Sequence, residues 1–102
     1  MKYSFKIYFG RNIPDSNIIV SEEGFTKFLQ KQKIFDSFTI YEAKGFWKGD
    51  HEKVFIVEIF NTTIDKSQQF ANLYAVRYNQ EDVLIDEIQS NTSLLRGNID
   101  DK

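Results

Sequence analysis

The sequence predicts an α+β domain of the ferredoxin-like class, β-α-β-β-α-β, with a four-stranded antiparallel sheet and two helices on one of its faces. Three observations carry that expectation. Residues Lys2 to Phe9 alternate with the period of a half-buried strand. Two later segments repeat their apolar residues at helical spacing. Between them, "KVFIVEIF" (Lys53 to Phe60) is apolar on both faces apart from Lys53 and Glu58, as suits a strand at the centre of a sheet. In this topology the first and third strands are the central ones.

In the first strand Tyr3, Phe5, Ile7 and Phe9 point one way, and Lys2, Ser4, Lys6 and Tyr8 the other. Gly10 ends it, and the loop that follows carries the chain's single Pro, Pro14. Ser21 reads as a helix N-cap, with Glu22 and Glu23 in the first turn where the helix dipole favours acids. Phe25, Phe28 and Leu29, with Gln32, share one face, so the first helix is expected over Glu22 to Lys33. A second strand fits Ser37 to Ala43, and Lys44 to Glu52, with Gly45, Gly49 and Asp50, reads as a bulge and a turn. The third strand is Lys53 to Phe60. Asp65 with Gln68 resembles a capping box, and the stripe Phe70, Leu73, Tyr74, Arg77 gives a helix ending near Asn79. Asp82 to Ile88 supplies the last strand. One domain over residues 1–90 is expected, with 91–102 as a flexible tail.

Composition narrows the function classes. With 102 residues and ten Phe there is material for one well-filled core. The absence of Cys removes disulfides, thiolate nucleophiles and Cys-based metal sites. A net charge of -2 and a pI near 5.3 argue against nucleic acid or an anionic membrane as the partner. No apolar run approaches the roughly 20 residues of a membrane span, and the N-terminus lacks the apolar block of a signal peptide. A cytoplasmic location is the expectation. Asn61-Thr62-Thr63 and Asn91-Thr92-Ser93 are then chance matches to glycosylation acceptors.

If Phe5, Ile7, Phe55 and Val57 face the helices, the other face shows Lys6 and Tyr8 from the first strand and Val54, Ile56, Glu58 and Phe60 from the third. That set is too apolar for a solvated sheet face. A second copy, face to face, is the expected cover, which gives a homodimer or dimeric α+β barrel in which Lys6 and Glu58 neutralise each other. The alternative is a small ligand held on Tyr8, Ile56 and Phe60.

Other constellations are weaker. "KGFW" only partly matches the basic-Gly-aromatic start of an RNA-recognition strand, and Gly49 and Asp50 interrupt it where further aromatics are required. His51, the only His, sits beside acids in a turn and reads as solvated. Trp47 reads as packing over the sheet edge, with ligand stacking as the alternative. Arg11, ahead of the first helix, reads as pairing with Glu22 and Glu23 rather than holding an anion. There is no Ser-His-Asp set, phosphate-binding Gly loop or paired-His metal motif, and no cofactor is implied.

Tyr8-Phe9-Gly10, Ser21, Thr39, Gly45-Phe46-Trp47, Tyr78 and Gln80-Glu81-Asp82-Val83-Leu84 follow one another in an order that resembles a family of small uncharacterised bacterial proteins, known as a domain of unknown function. The resemblance spans most of residues 5 to 88. It implies the same fold and brings no established activity. It singles out Tyr8, Arg11, Gly45, Trp47, Gln80 and Glu81.

Two functional readings follow. The first is a non-catalytic homodimeric module that binds a protein partner or a small molecule, with Tyr8, Arg11, Tyr41, Trp47, Gln80 and Glu81 as the ligand-binding candidates. The second is a cofactor-free enzyme of the dimeric α+β barrel type acting on a small organic substrate. There Tyr8, Tyr41 or Glu58 would act on the substrate, and Arg11 or Trp47 would hold it.

Overall fold

The computed structural model describes residues 3–89 together with 93, 95 and 97. Six elements follow in order: β1 (Tyr3–Gly10), α1 (Glu22–Gln32), β2 (Thr39–Trp47), β3 (Asp50–Phe60), α2 (Ile64–Arg77) and β4 (Leu84–Gln89). The strands form one open antiparallel sheet in the order β2-β3-β1-β4, with β1 and β3 central. Each helix connects two strands that are not neighbours, so each must cross the sheet. Both cross on the same face.

The alternation of β1 and β3 decides which face. Phe5, Ile7 and Phe9 are wholly buried, as are Phe55 and Val57, with Ile59 nearly so. Phe25, Phe28 and Leu29 of α1 and Phe70, Ala71 and Tyr74 of α2 close over them. The core is mainly aromatic. Phe25 stacks on Phe55 with centroids 4.6 Å apart, and Phe9 meets Phe25, Phe70 and Tyr74 within 5.3 Å. Each such pair contributes about 0.5–1.5 kcal/mol beyond the area it buries.

Local chemistry sets the helix ends. Ser21 Oγ accepts from the Gly24 amide at 3.0 Å, and Lys33, at φ 53°, closes α1 in the left-handed region. The start of α2 differs from the expectation. Thr63 is the cap, its Oγ1 accepting from the Lys66 amide, and Asp65 lies inside the first turn. The buried stripe of α2 is Ser67, Phe70, Ala71 and Tyr74, while Leu73 is turned outward.

The larger difference lies in Lys44 to Glu52, expected as a bulge and turn. It is a continuous ladder: Lys44 opposite Lys53, Gly45 opposite Glu52, Phe46 opposite His51 and Trp47 opposite Asp50. Only Lys48 and Gly49 turn, with φ of 50° and 87°. Two consecutive positive φ values are what a two-residue hairpin requires, because that turn matches the strand twist. The β-forming Phe46 and Trp47 then carry β2 to its end. Asp82 and Val83, expected in the last strand, precede β4. The expected tail, 91–102, lies almost wholly outside the described residues.

Candidate functional site

The sheet face away from the helices is built from facing rows. Thr39, Glu58, Lys6 and Asp86 lie side by side across β2, β3, β1 and β4. The next row is Tyr41, Ile56, Tyr8 and Leu84. Beyond them, Phe60, Ser4 and Ile88 form a row at one end, and Ala43, Val54 and Gly10 one at the other. Leu84 is 64% exposed, Phe60 45%, Ile88 40% and Tyr41 38%. Val54, Ile56 and Tyr8 are half-buried between their neighbours. No helix among the described residues covers this side.

A polar row crosses that apolar ground. Tyr41 Oη donates to Glu58 Oε1 at 2.5 Å, and Lys6 Nζ lies 3.9 Å from Glu58 Oε2. The hydrogen bond to Glu58 raises the Tyr41 phenol above its ordinary range, because the carboxylate accepts only from the protonated hydroxyl. An exposed ion pair of this kind contributes about 0–1 kcal/mol. The row therefore patterns the surface more than it stabilises the fold.

The other candidate residues fall into two further places. Arg11 points to the helix side. Its guanidinium lies 4.0 Å over the Phe55 ring, its Nε donates to the Val20 carbonyl at 2.9 Å, and a terminal nitrogen is 3.5 Å from Glu42. The expected pairing with Glu22 and Glu23 is thus replaced by Glu42. That residue stands opposite Phe55 on β2 and is within reach of the stacked guanidinium. Gln80 and Glu81 lie at the sheet end where β1 finishes. Gln80 Nε2 donates to the carbonyls of Asn12 and Tyr78, and Glu81 is 3.8 Å from Lys48 in the hairpin turn. Both tie loops together. Trp47 ends β2 opposite Asp50, and its side chain lies outside the described residues. His51 sets its ring edge-on to Phe46 at 4.5 Å. Of the six ligand-binding candidates, then, Tyr8 and Tyr41 share a row on the open face. Arg11 is on the opposite face, and Gln80 and Glu81 are at the end.

Sequence reasoning missed three residues here. Glu52 lays its carboxyl against Gly10, in the space a side chain at that position would fill, with Gln80 Oε1 beside it. Burial raises the Glu52 carboxyl above its ordinary value. Asp86 and Leu84 bring β4 into the open-face rows, which the alternation of "LIDEI" against β1 could have shown. Among the described residues no group of three or more His, Asp or Glu is placed to hold a metal ion. A cleft of about 230 Å³ opens at the far end of the sheet, between Phe35, Asp36, Phe60 and Asn61, away from Gly10 and Gln80.

An α+β sheet with two helices on one face, and an apolar second face crossed by a single polar row, defines the class structurally. The chain belongs to the family described as "Protein of unknown function (DUF3574)", whose model matches residues 4–93 and so takes in all six elements but for Tyr3. No curated protein matches it. No helix among the described residues is long and apolar enough to cross a membrane.

Proposed function

We propose that the protein is a homodimeric, non-catalytic interaction module whose helix-free sheet face is the contact between two copies. The observation that carries this is the apolar ground of Ile56, Tyr8, Tyr41 and Leu84, with Phe60 beyond the polar row, on a face that no element among the described residues covers. Four strands about 4.8 Å apart, each with about seven residues of 3.4 Å, span roughly 20 by 24 Å. That flat footprint, roughly 480 Å² per partner before side-chain relief, lies at the small end of specific interfaces. The area is larger than a small ligand covers. Light scattering on the purified protein tests the reading. A dimer of the 12.0 kDa chain is expected, and Ile56→Lys, at the centre of the face, is expected to yield monomer. A dimer unchanged by Ile56→Lys removes the sheet face from the interface.

A cofactor-free enzyme acting on a small organic substrate is the second reading, favoured by the 2.5 Å Tyr41–Glu58 hydrogen bond beside Lys6. A hydroxyl held by a carboxylate is a proton donor and acceptor pair in position. A small molecule retained in a native mass spectrum, and lost in Tyr41→Phe with the mass of the assembly unchanged, would support this reading over the first.

A further inference from the structure

Two aligned ways of laying this face on its own copy differ only in the direction of the two-fold axis, and the registers distinguish them. With the axis parallel to the strands and between β1 and β3, each β3 lies over the other copy's β1. Position for position, Glu58 then faces Lys6 of the second copy, Phe60 faces Ser4 of the second copy and Ile56 faces Tyr8 of the second copy, while Tyr41 at the edge faces Leu84 of the second copy. Turning the axis by a quarter turn, along the polar row, lays β3 on β3. Glu58 would then face Glu58, Lys6 would face Lys6, and Phe60 would meet Ile56.

We infer that the protein dimerises about the strand-parallel axis, with β3 of each copy on β1 of the other and the Lys6 and Glu58 side chains of both copies meeting at the axis. This rests on the sheet-face reading above. Charge supports it. The Lys6–Glu58 neighbours of one copy and those of the second alternate in sign around the axis, whereas the other arrangement sets like charges against each other in a desolvated centre. Volume is compatible with it but does not choose between the axes. Ser4, 6% exposed between the larger Phe60 and Ile88, receives Phe60 of the second copy here and would receive Tyr8 in the other arrangement, so the choice rests on charge. Residues at the axis are also the least displaced by sheet twist, so the charge match survives the rotation of about 30° between packed sheets.

The edges supply the test. Tyr41 on β2 and Leu84 on β4 are exposed, and they sit three strand spacings apart in one sheet, about 14 Å. In the inferred dimer Tyr41 lies directly over Leu84 of the second copy, about 10 Å away, whereas Tyr41 to Tyr41 and Leu84 to Leu84 are each about 17 Å. The chain has no Cys, so Tyr41→Cys and Leu84→Cys each place a single thiol. The two variants are co-expressed, their masses are measured by light scattering, and they are treated with a bis-maleimide of about 10 Å reach. The expected result is a cross-linked species of doubled mass from the co-expressed pair and none from either variant alone. Cross-linking within a single variant, or a dimer that yields no cross-link in the mixture, overturns the axis while leaving the dimer. A monomeric mass for the wild-type chain overturns the dimer and the axis together.

Discussion

Tyr74 of α2 donates its hydroxyl to the main-chain carbonyl of Gly10, 2.6 Å away, and so fastens the second helix to the end of the first strand. The ring beneath that hydroxyl touches Phe9, Phe25, Phe28 and Tyr78, so one residue joins the aromatic core to a strand terminus. Tyr74→Phe keeps the ring and leaves the carbonyl without this donor. A loss of about 1–3 kcal/mol is expected. For a domain of this size, thermal melts would show a fall of roughly 4–8 °C for each kcal/mol. The same pair predicts an alkaline effect. Burial holds the Tyr74 phenol well above 10.0, so its contribution is fully present below pH 10 and is lost as pH rises toward the folded value. Between neutral pH and about 11 the wild type should lose more stability than Tyr74→Phe.

Glu52 gives the opposite kind of test, because its carboxyl rests in space that Gly10 leaves open. Gly10→Ala fills that space, and the side chain that must yield is the flexible end of Glu52. Little stability should be lost. The Glu52 carboxyl should instead move toward solvent and titrate lower, an effect that carbon-detected NMR reads directly. Its raised value also has a stability consequence. The folded state favours the protonated acid, so that contribution is present below 4.5 and lost as pH rises above it. Glu52→Gln should accordingly stabilise the protein at neutral pH, with the gain vanishing in acid.

Ser67 lies on the buried stripe of α2, and its hydroxyl has no hydrogen-bond partner among the described residues. Ser67→Ala removes an unsatisfied polar group and substitutes a better helix former. An increase of about 1 kcal/mol in urea unfolding free energy is expected, with the m-value unchanged. A decrease would show that the hydroxyl is satisfied in solution.

Arg11 was a candidate for ligand binding, and its contacts tie it to Phe55, the Val20 carbonyl and Glu42. A lysine could hold the charge near Glu42, but it could not stack a plane on Phe55 while donating to the Val20 carbonyl. Arg11→Lys should therefore cost about 1–2 kcal/mol in chemical denaturation. An unchanged midpoint would free Arg11 for a ligand.

Much of the fold could be read from the chain because its strongest signals are local. The alternation of Tyr3 to Phe9 and the apolar run of Val54 to Phe60 specify two strands and their inward faces, and Ser21 specifies a helix start. The hairpin was misread for a physical reason. Gly45 resembles a bulge glycine, yet it pairs in the ladder, with Val54 alongside the space a side chain there would occupy, so its sequence cue belongs to packing. The site was only partly legible. Tyr8 and Tyr41 share a row because β2 pairs with β3 and β3 with β1, a relation no local pattern contains. Arg11 followed its strand alternation to the helix side, and the identity of its acid partner depended on the same pairings.

Beyond Lys53, whose carbonyl accepts from the Arg11 amide, β3 is paired with β2 alone among the described residues, since β1 ends at Gly10. The hairpin from Gly45 to Glu52 is therefore a two-stranded arm on a four-stranded body. Amide hydrogen exchange should divide β3 accordingly. The amides of Phe55 to Ile59 would open only with global unfolding, while those near the Lys48-Gly49 turn would exchange through local fraying of the arm.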